Sequence, residues 1–184
     1  TRAIQFTSTL RDIVVSWEPT VLVYTTPTAS QRGYAYEGTK FVRLFGGAPG
    51  LMLVATPNYR VVSYAQNNSL ISRADTLSGT ALSIPVFPEK CAPDPLKNAT
   101  LWCGAPLTLA PSDYPDGWYK GSVSFDDSIW KLDIGTGSAT LVSVPSEDVK
   151  EAIDVTDMRA DNAGNMLIFI NKKDGALWVQ DIPQ

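Results

Sequence analysis

The residues best equipped for chemistry lie between Leu107 and Val123, in the run LTLAPSDYPDGWYKGSV. Tyr114, Trp118 and Tyr119 supply three large rings, and Asp113 and Asp116 stand beside them. Aromatic faces next to carboxylates suit stacking on a sugar or seating a protein partner. These five residues form the candidate binding site, on a long loop of the kind that often carries function. The alternative is that Trp118 and Tyr119 fold back and pack over the scaffold, because large aromatics in short chains are usually structural.

The remaining acids give weaker signals. Asp113, Asp116, Asp126 and Asp127 could gather around a hard cation, since calcium takes about six to eight oxygens. They lack the DxDxDG spacing, so no metal site is assigned. Asp126-Asp127 reads instead as a cap on the turn before SIWKLDI. Asp154, Asp157 and Asp161 read as turn residues. Glycoside hydrolysis needs two carboxyls at a fixed gap, and the sequence offers no way to place such a pair. The chain has no histidine, which excludes Ser-His-Asp and Cys-His catalysis, histidine zinc sites and histidine pH switching. There is no G-x-S-x-G elbow, phosphate loop or dinucleotide fingerprint, and GGAPG at Gly46 to Gly50 reads as a turn. No catalytic residue and no cofactor is assigned.

Whatever these residues do, a β scaffold must position them. The 184 residues are 44% hydrophobic and 18% charged, enough for a packed core and too apolar for a disordered chain. A net charge of −4 excludes a basic surface for nucleic acid. No apolar run is long enough for a membrane-spanning helix. The chain starts at Thr1, as a processed protein or a piece of a longer one would. Cys91 and Cys103 sit in FPEKCAP and TLWCGAP, with a polar stretch between them. If these segments pair as antiparallel strands, the two sulfurs can bond, which points to an oxidising compartment; the alternative is two buried thiols. The sequons at Asn67 and Asn98 are compatible with secretion but weak.

Helix signals are scarce. SEDVKEAIDV, from Ser146 to Val155, reads as a loop or a short helical turn with Ser146 as a possible cap. Strand candidates are DIVVSW, TVLVYTT, GYAYEG, KFVRLF, LMLVAT, YRVVSYA, SLISRA, ALSIPV, SIWKLDI, SATLVSV, NMLIFIN and GALWVQDI. Turn residues separate them at short intervals, which argues for an all-β sandwich, barrel or propeller. Repetition favours the propeller. The hairpin pattern recurs at SWEPTVLVYTT, ATPNYRVVSYA, APDPLKNATLWCGA and RADNAGNMLIFIN, with anchors Trp17, Thr56, Ala92 and Ala160 spaced by 39, 36 and 68 residues. A second hairpin follows each, clearest in SIWKLDIGTGSATLVSV. Four units in 184 residues average 46 each, within the roughly 40–50 of a four-stranded blade. The units span approximately 9–45, 46–86, 87–145 and 146–184, with 1–8 as a possible closing strand.

These turns resemble the TolB-like or WD-repeat-like propeller blade, whose first turn reads Ser-Pro-Asp-Gly followed by a strand. Ala92-Pro93-Asp94 keeps the Pro-Asp pair, Ala160 to Gly164 keeps an acid and a glycine, and Thr56-Pro57-Asn58-Tyr59 keeps the proline. Trp17-Glu18-Pro19-Thr20 is the weakest copy. The segment SDYPDGWYKGSVSFDDSIWKLDIGTG, with LIFINKKDGALWVQDI, is also similar to uncharacterised extracytoplasmic propeller proteins of candidate-phylum bacteria. The resemblance implies an all-β propeller of about four four-stranded blades, as a closed small ring or half of a larger one. The expected function is a non-enzymatic, extracytoplasmic binding or assembly scaffold for protein or glycan. The alternative is a carboxylate-dependent glycan hydrolase or lyase. Expected partners are a second copy of the chain or upstream blades. Arg2 to Ser8 could close the last unit or continue an upstream blade.

Overall fold

The computed structural model describes residues 12–16, 21–38 and 42–182. They form an all-β chain of four antiparallel sheets. The first holds β1 (Ile13–Ser16), β2 (Leu22–Thr25), β3 (Arg32–Glu37) and β4 (Val42–Pro49). The second holds β5 (Met52–Ala55), β6 (Arg60–Gln66) and β7 (Ser69–Ala74). The third holds β8 (Cys91–Pro93), β9 (Thr100–Pro106), β10 (Asp127–Asp133) and β11 (Ala139–Ser143). The fourth holds β12 (Val155–Ala160), β13 (Met166–Asn171) and β14 (Leu177–Asp181). Within each sheet the strands pair in chain order. That follows from tight turns: Asn67 and Asn68 both adopt positive φ between β6 and β7, the geometry of a two-residue hairpin loop.

Packing couples consecutive sheets. Leu22, Ala35 and Phe45 of the first meet Leu53, Ala55 and Val62 of the second. Val61 and Ala74 of the second meet Cys91, Leu101, Cys103 and Leu132 of the third. Ala92, Trp102 and Ile129 of the third meet Val155, Met158, Leu167 and Phe169 of the fourth. Each sheet is apolar where it faces its neighbour, because alternate side chains point to opposite faces. Each fully buried Leu, Ile or Phe contributes about 1.5–3 kcal/mol.

Several expectations change. ALSIPV forms no strand, only one bridge from Ala81 to Arg73. Pro85 removes a ladder donor there, and the Ser83 amide donates to the Gly137 carbonyl. At Gly137, φ is +76° and an added Cβ would lie 2.4 Å from the Ala81 carbonyl oxygen, so only glycine fits. β4 continues through GGAPG to Pro49, and the turn comes at Gly50. β12 was masked in the sequence by a bulge: the register shifts between Thr156 and Arg159, with Asp157 at positive φ. The helical turn is α2 (Pro145–Val149), after the insertion's own short helix α1 (Asp116–Tyr119). Ser146 does not cap α2; Val144 holds that position without a side-chain bond, and Pro145 starts the helix. Asp127 opens β10 and is buried, so it is not a turn cap. The Trp17 turn and the Arg2 to Ser8 segment lie outside the described residues. Among those described, no helix is long and apolar enough to cross a membrane.

Cys91 and Cys103 are direct partners in the β8–β9 register and form a disulfide. No thiol should react when the unfolded, unreduced protein is titrated. Cys103→Ser should lower the unfolding free energy by roughly 2–4 kcal/mol. Two reactive thiols in the native sequence would show the bond to be absent.

Candidate functional site

Three consecutive residues after Phe87 and Pro88 take three different roles. Pro88–Lys90 is a single 3₁₀ turn, and Phe87 anchors it among Met52, Leu70, Tyr114, Trp118 and Phe125. The turn sends Glu89 toward a cavity and Lys90 into the dry interior, while Cys91 enters the disulfide.

The cavity occupies about 250 Å³ and is lined from all four sheets and the turn: Leu22 and Tyr24, Leu53 to Ala55, Pro88, Glu89, Cys91 and Pro93, and Asp157 and Arg159. The Glu89 Oε1 accepts a hydrogen bond from the Tyr119 hydroxyl at 2.5 Å. Its Oε2 is buried with no partner. Burial pushes the Glu89 carboxyl above its usual range; Asp157 adds to the rise, while the Tyr119 bond and the Lys90 charge oppose it. Burial and the Glu89 charge together push the Tyr24 hydroxyl up to about 12. A carboxyl raised by burial, in a cavity with a second acid, is equipped to bind a donor or to exchange a proton.

Glu89 also lines a second cleft of about 450 Å³, between α1 and the segment after β2. Thr26, Pro27 and Thr28 form one wall, and Asp116, Tyr119 and Lys120 the other. The Asp116 Oδ2 accepts from the Thr28 hydroxyl at 3.0 Å, and its Oδ1 from the Ala29 amide at 2.9 Å. Against the cost of burial, these bonds and Lys120 hold its carboxyl below the usual range. Asp116 thus ties the insertion to the first sheet.

Of the five sequence-selected residues, the fold brings Asp116 and Tyr119 to this cleft. Tyr114 and Trp118 are buried in the aromatic cluster, at 1% and 2% exposure, and offer no ring face to solvent. Asp113 is exposed and lines neither cavity. Among the described residues no acidic cluster is arranged to hold a metal.

Behind Glu89 lies the group that sequence reading missed. The Lys90 Nζ stands 2.5 Å from the Asp127 Oδ2 and 2.5 Å from the Asp154 Oδ1. All three side chains are buried. The rings of Phe125 and Trp118 lie 4.5 and 4.9 Å from Nζ. The available signal was Glu89-Lys90 inside an apolar run, VFPEKCAP, where charges are rarely buried unless paired.

No protein-family model matches the chain, and no curated protein matches it. Among solved structures it is similar to a mutant of the apocarotenoid oxygenase of Synechocystis, at 10% identity and a TM-score of 0.30. The match covers 92% of this chain and 45% of that one, so the chain spans less than half of that protein. At that TM-score no function passes between the two.

The raised Glu89 carboxyl makes stability pH-dependent. A carboxyl raised in the folded state contributes most below its unfolded value of 4.5, and that contribution is lost as pH rises through the folded value. Glu89→Gln keeps a hydrogen-bond acceptor for Tyr119 and does not ionise. Thermal melts across pH should show the native protein losing stability relative to Glu89→Gln as pH climbs from 4.5. Parallel curves would contradict the assignment.

Proposed function

We propose that the chain is a non-enzymatic, extracytoplasmic binding scaffold of propeller blades that takes a glycan in the cleft beside Tyr119. The observation that carries this reading is the pairing of Tyr119 with Glu89. Tyr119 is 38% exposed, while Glu89 keeps one carboxylate oxygen without a partner. A sugar stacked on the ring would place hydroxyl donors beside the Glu89 carboxyl that already accepts from Tyr119. Four chain-ordered meanders around a shared cavity support the blade reading. The disulfide is compatible with an oxidising compartment.

A second reading has a specific observation behind it. Glu89 and Asp157 line the same cavity, and one carboxyl raised by burial beside another acid is the pattern of an acid–base pair. Carboxylate-dependent glycan cleavage is therefore the alternative.

Amide chemical shifts followed during titration with neutral xylo-, cello- and manno-oligosaccharides separate the two. Binding should shift Thr28, Asp116 and Tyr119 for at least one series and vanish in Tyr119→Ala. New reducing ends, lost in Glu89→Gln, would favour cleavage. No shift with any series would remove the glycan reading.

Assembly follows from the ends of the sheet series. Among the described residues β14 is the outer strand of the last sheet, with Leu177 and Val179 exposed at 69% and 58%. An apolar edge strand seeks pairing. We propose that a second copy covers it, as two half-rings would. Light scattering should find twice the chain mass, reverting toward one chain on dilution or in Val179→Lys. A single-chain particle at every concentration would eliminate the dimer.

A further inference from the structure

We infer that Lys90 and Asp127 become joined by an intramolecular isopeptide bond, formed by the chain itself, with Asp154 moving the protons.

The placement supplies the reactants. Lys90 ends the 3₁₀ turn, Asp127 opens β10, and Asp154 immediately precedes β12. Folding therefore brings one amine and two carboxyls together from three separate segments. Their side chains are 0%, 0% and 1% exposed. In water an amine and a carboxyl stay an ion pair, and water is present to reverse condensation. In a dry site the neutral amine and acid cost less relative to the ion pair. The walls here are Phe87, Trp118 and Phe125, whose centroids lie 6.0, 4.9 and 4.5 Å from Nζ.

The two carboxyls are not equivalent, and the difference assigns their roles. The Asp154 Oδ1 accepts from the Trp118 indole at 2.9 Å, and its Oδ2 from the Ser124 hydroxyl at 3.0 Å and the Phe125 amide at 3.2 Å. Donors on both oxygens hold it as the carboxylate, able to take a proton from Lys90. Against the cost of burial, its carboxyl lies below the usual range, with Lys90 the largest lowering influence. Asp127 has one fixed donor, the Val155 amide, at 2.8 Å from Oδ2. Its Oδ1 is buried with no partner. Burial pushes this carboxyl up to about 6, despite Lys90. The protonated acid is the form with a leaving oxygen. In condensation Oδ1, the carboxyl oxygen held by no donor, is the oxygen that departs.

The step balances. Lys90 passes one proton to Asp154, and the neutral Nζ attacks the Asp127 Cγ, forming the N–C bond. The Val155 N–H steadies the charge that develops on Oδ2. Asp154 returns its proton to the Oδ1 hydroxyl, the Cγ–Oδ1 bond breaks, and water leaves. Asp154 then takes the surplus proton from nitrogen. Four protons, three on Nζ and one on Asp127, end as one on the amide, two in water and one on Asp154. Nothing is oxidised or reduced. The product amide N–H can donate to Asp154, and Oδ2 remains as its carbonyl, still accepting from Val155.

Intact mass of the native protein, denatured and reduced, is the test. The expected mass is one water below that of the sequence. A tryptic digest should show no cleavage after Lys90 and a branched peptide joining Lys90 to Asp127 that survives reduction. Asp154→Asn should restore the full mass while circular dichroism still reports a folded sheet. Full mass in the native protein would overturn the inference. So would a link to Asp154, or a water loss confined to one linear peptide, as a succinimide at Asp116-Gly117 or Asp174-Gly175 would give.

Discussion

A lysine with no solvent access sets the terms for this fold. Removing an ammonium and two carboxylates from water costs several kcal/mol for each ion. Lys90 meets that cost with two short contacts, to Asp127 and Asp154, inside an aromatic cage. The three partners come from the turn before β8, the start of β10 and the residue before β12. Separating the third and fourth sheets therefore breaks the Lys90–Asp154 contact. Their shared apolar cluster, from Trp102 to Phe169, gives the energy of contact; the ions fix which residues meet.

The candidate binding surface depends on the same point. Asp154 accepts the Trp118 indole N–H, and Lys172 donates to the Trp118 carbonyl at 2.8 Å. Those bonds set the rotation of α1. With Trp118 turned inward, the next residue, Tyr119, is turned outward, where its hydroxyl reaches Glu89. Glu89 is in turn the chain neighbour of Lys90. Burial of one charged residue thus orients a helix on one side and a carboxyl on the other. Asp116 completes the attachment from the far end of α1, through Thr28 and Ala29.

Much of the scaffold was legible in the sequence because strands separated by strong turn residues carry their own signal. The Gly135 to Gly137 turn marks its hairpin without tertiary information. ALSIPV failed because Pro85 removes a ladder donor, and β12 hid because a bulge at Asp157 breaks the alternation. The site was less legible. Asp116 and Tyr119 were visible as an acid and an aromatic on a long loop. Tyr114 and Trp118 carried the same signal and are core residues. Glu89, Lys90, Asp127 and Asp154 were invisible as a group because they are 37 and 64 residues apart measured from Lys90. Local patterning does not report which distant charges will meet, and Asp127 and Asp154 look like any other acids near turns.

The most direct test of this account is the unfolding free energy of Lys90→Met measured in urea. Methionine fills similar volume, leaves the two carboxyls buried without their nitrogen partner and cannot form the link. A loss of at least about 3–5 kcal/mol is expected, the cost of removing one partner from a buried charged group. A variant as stable as the native chain would contradict the claim that the fold is organised around Lys90.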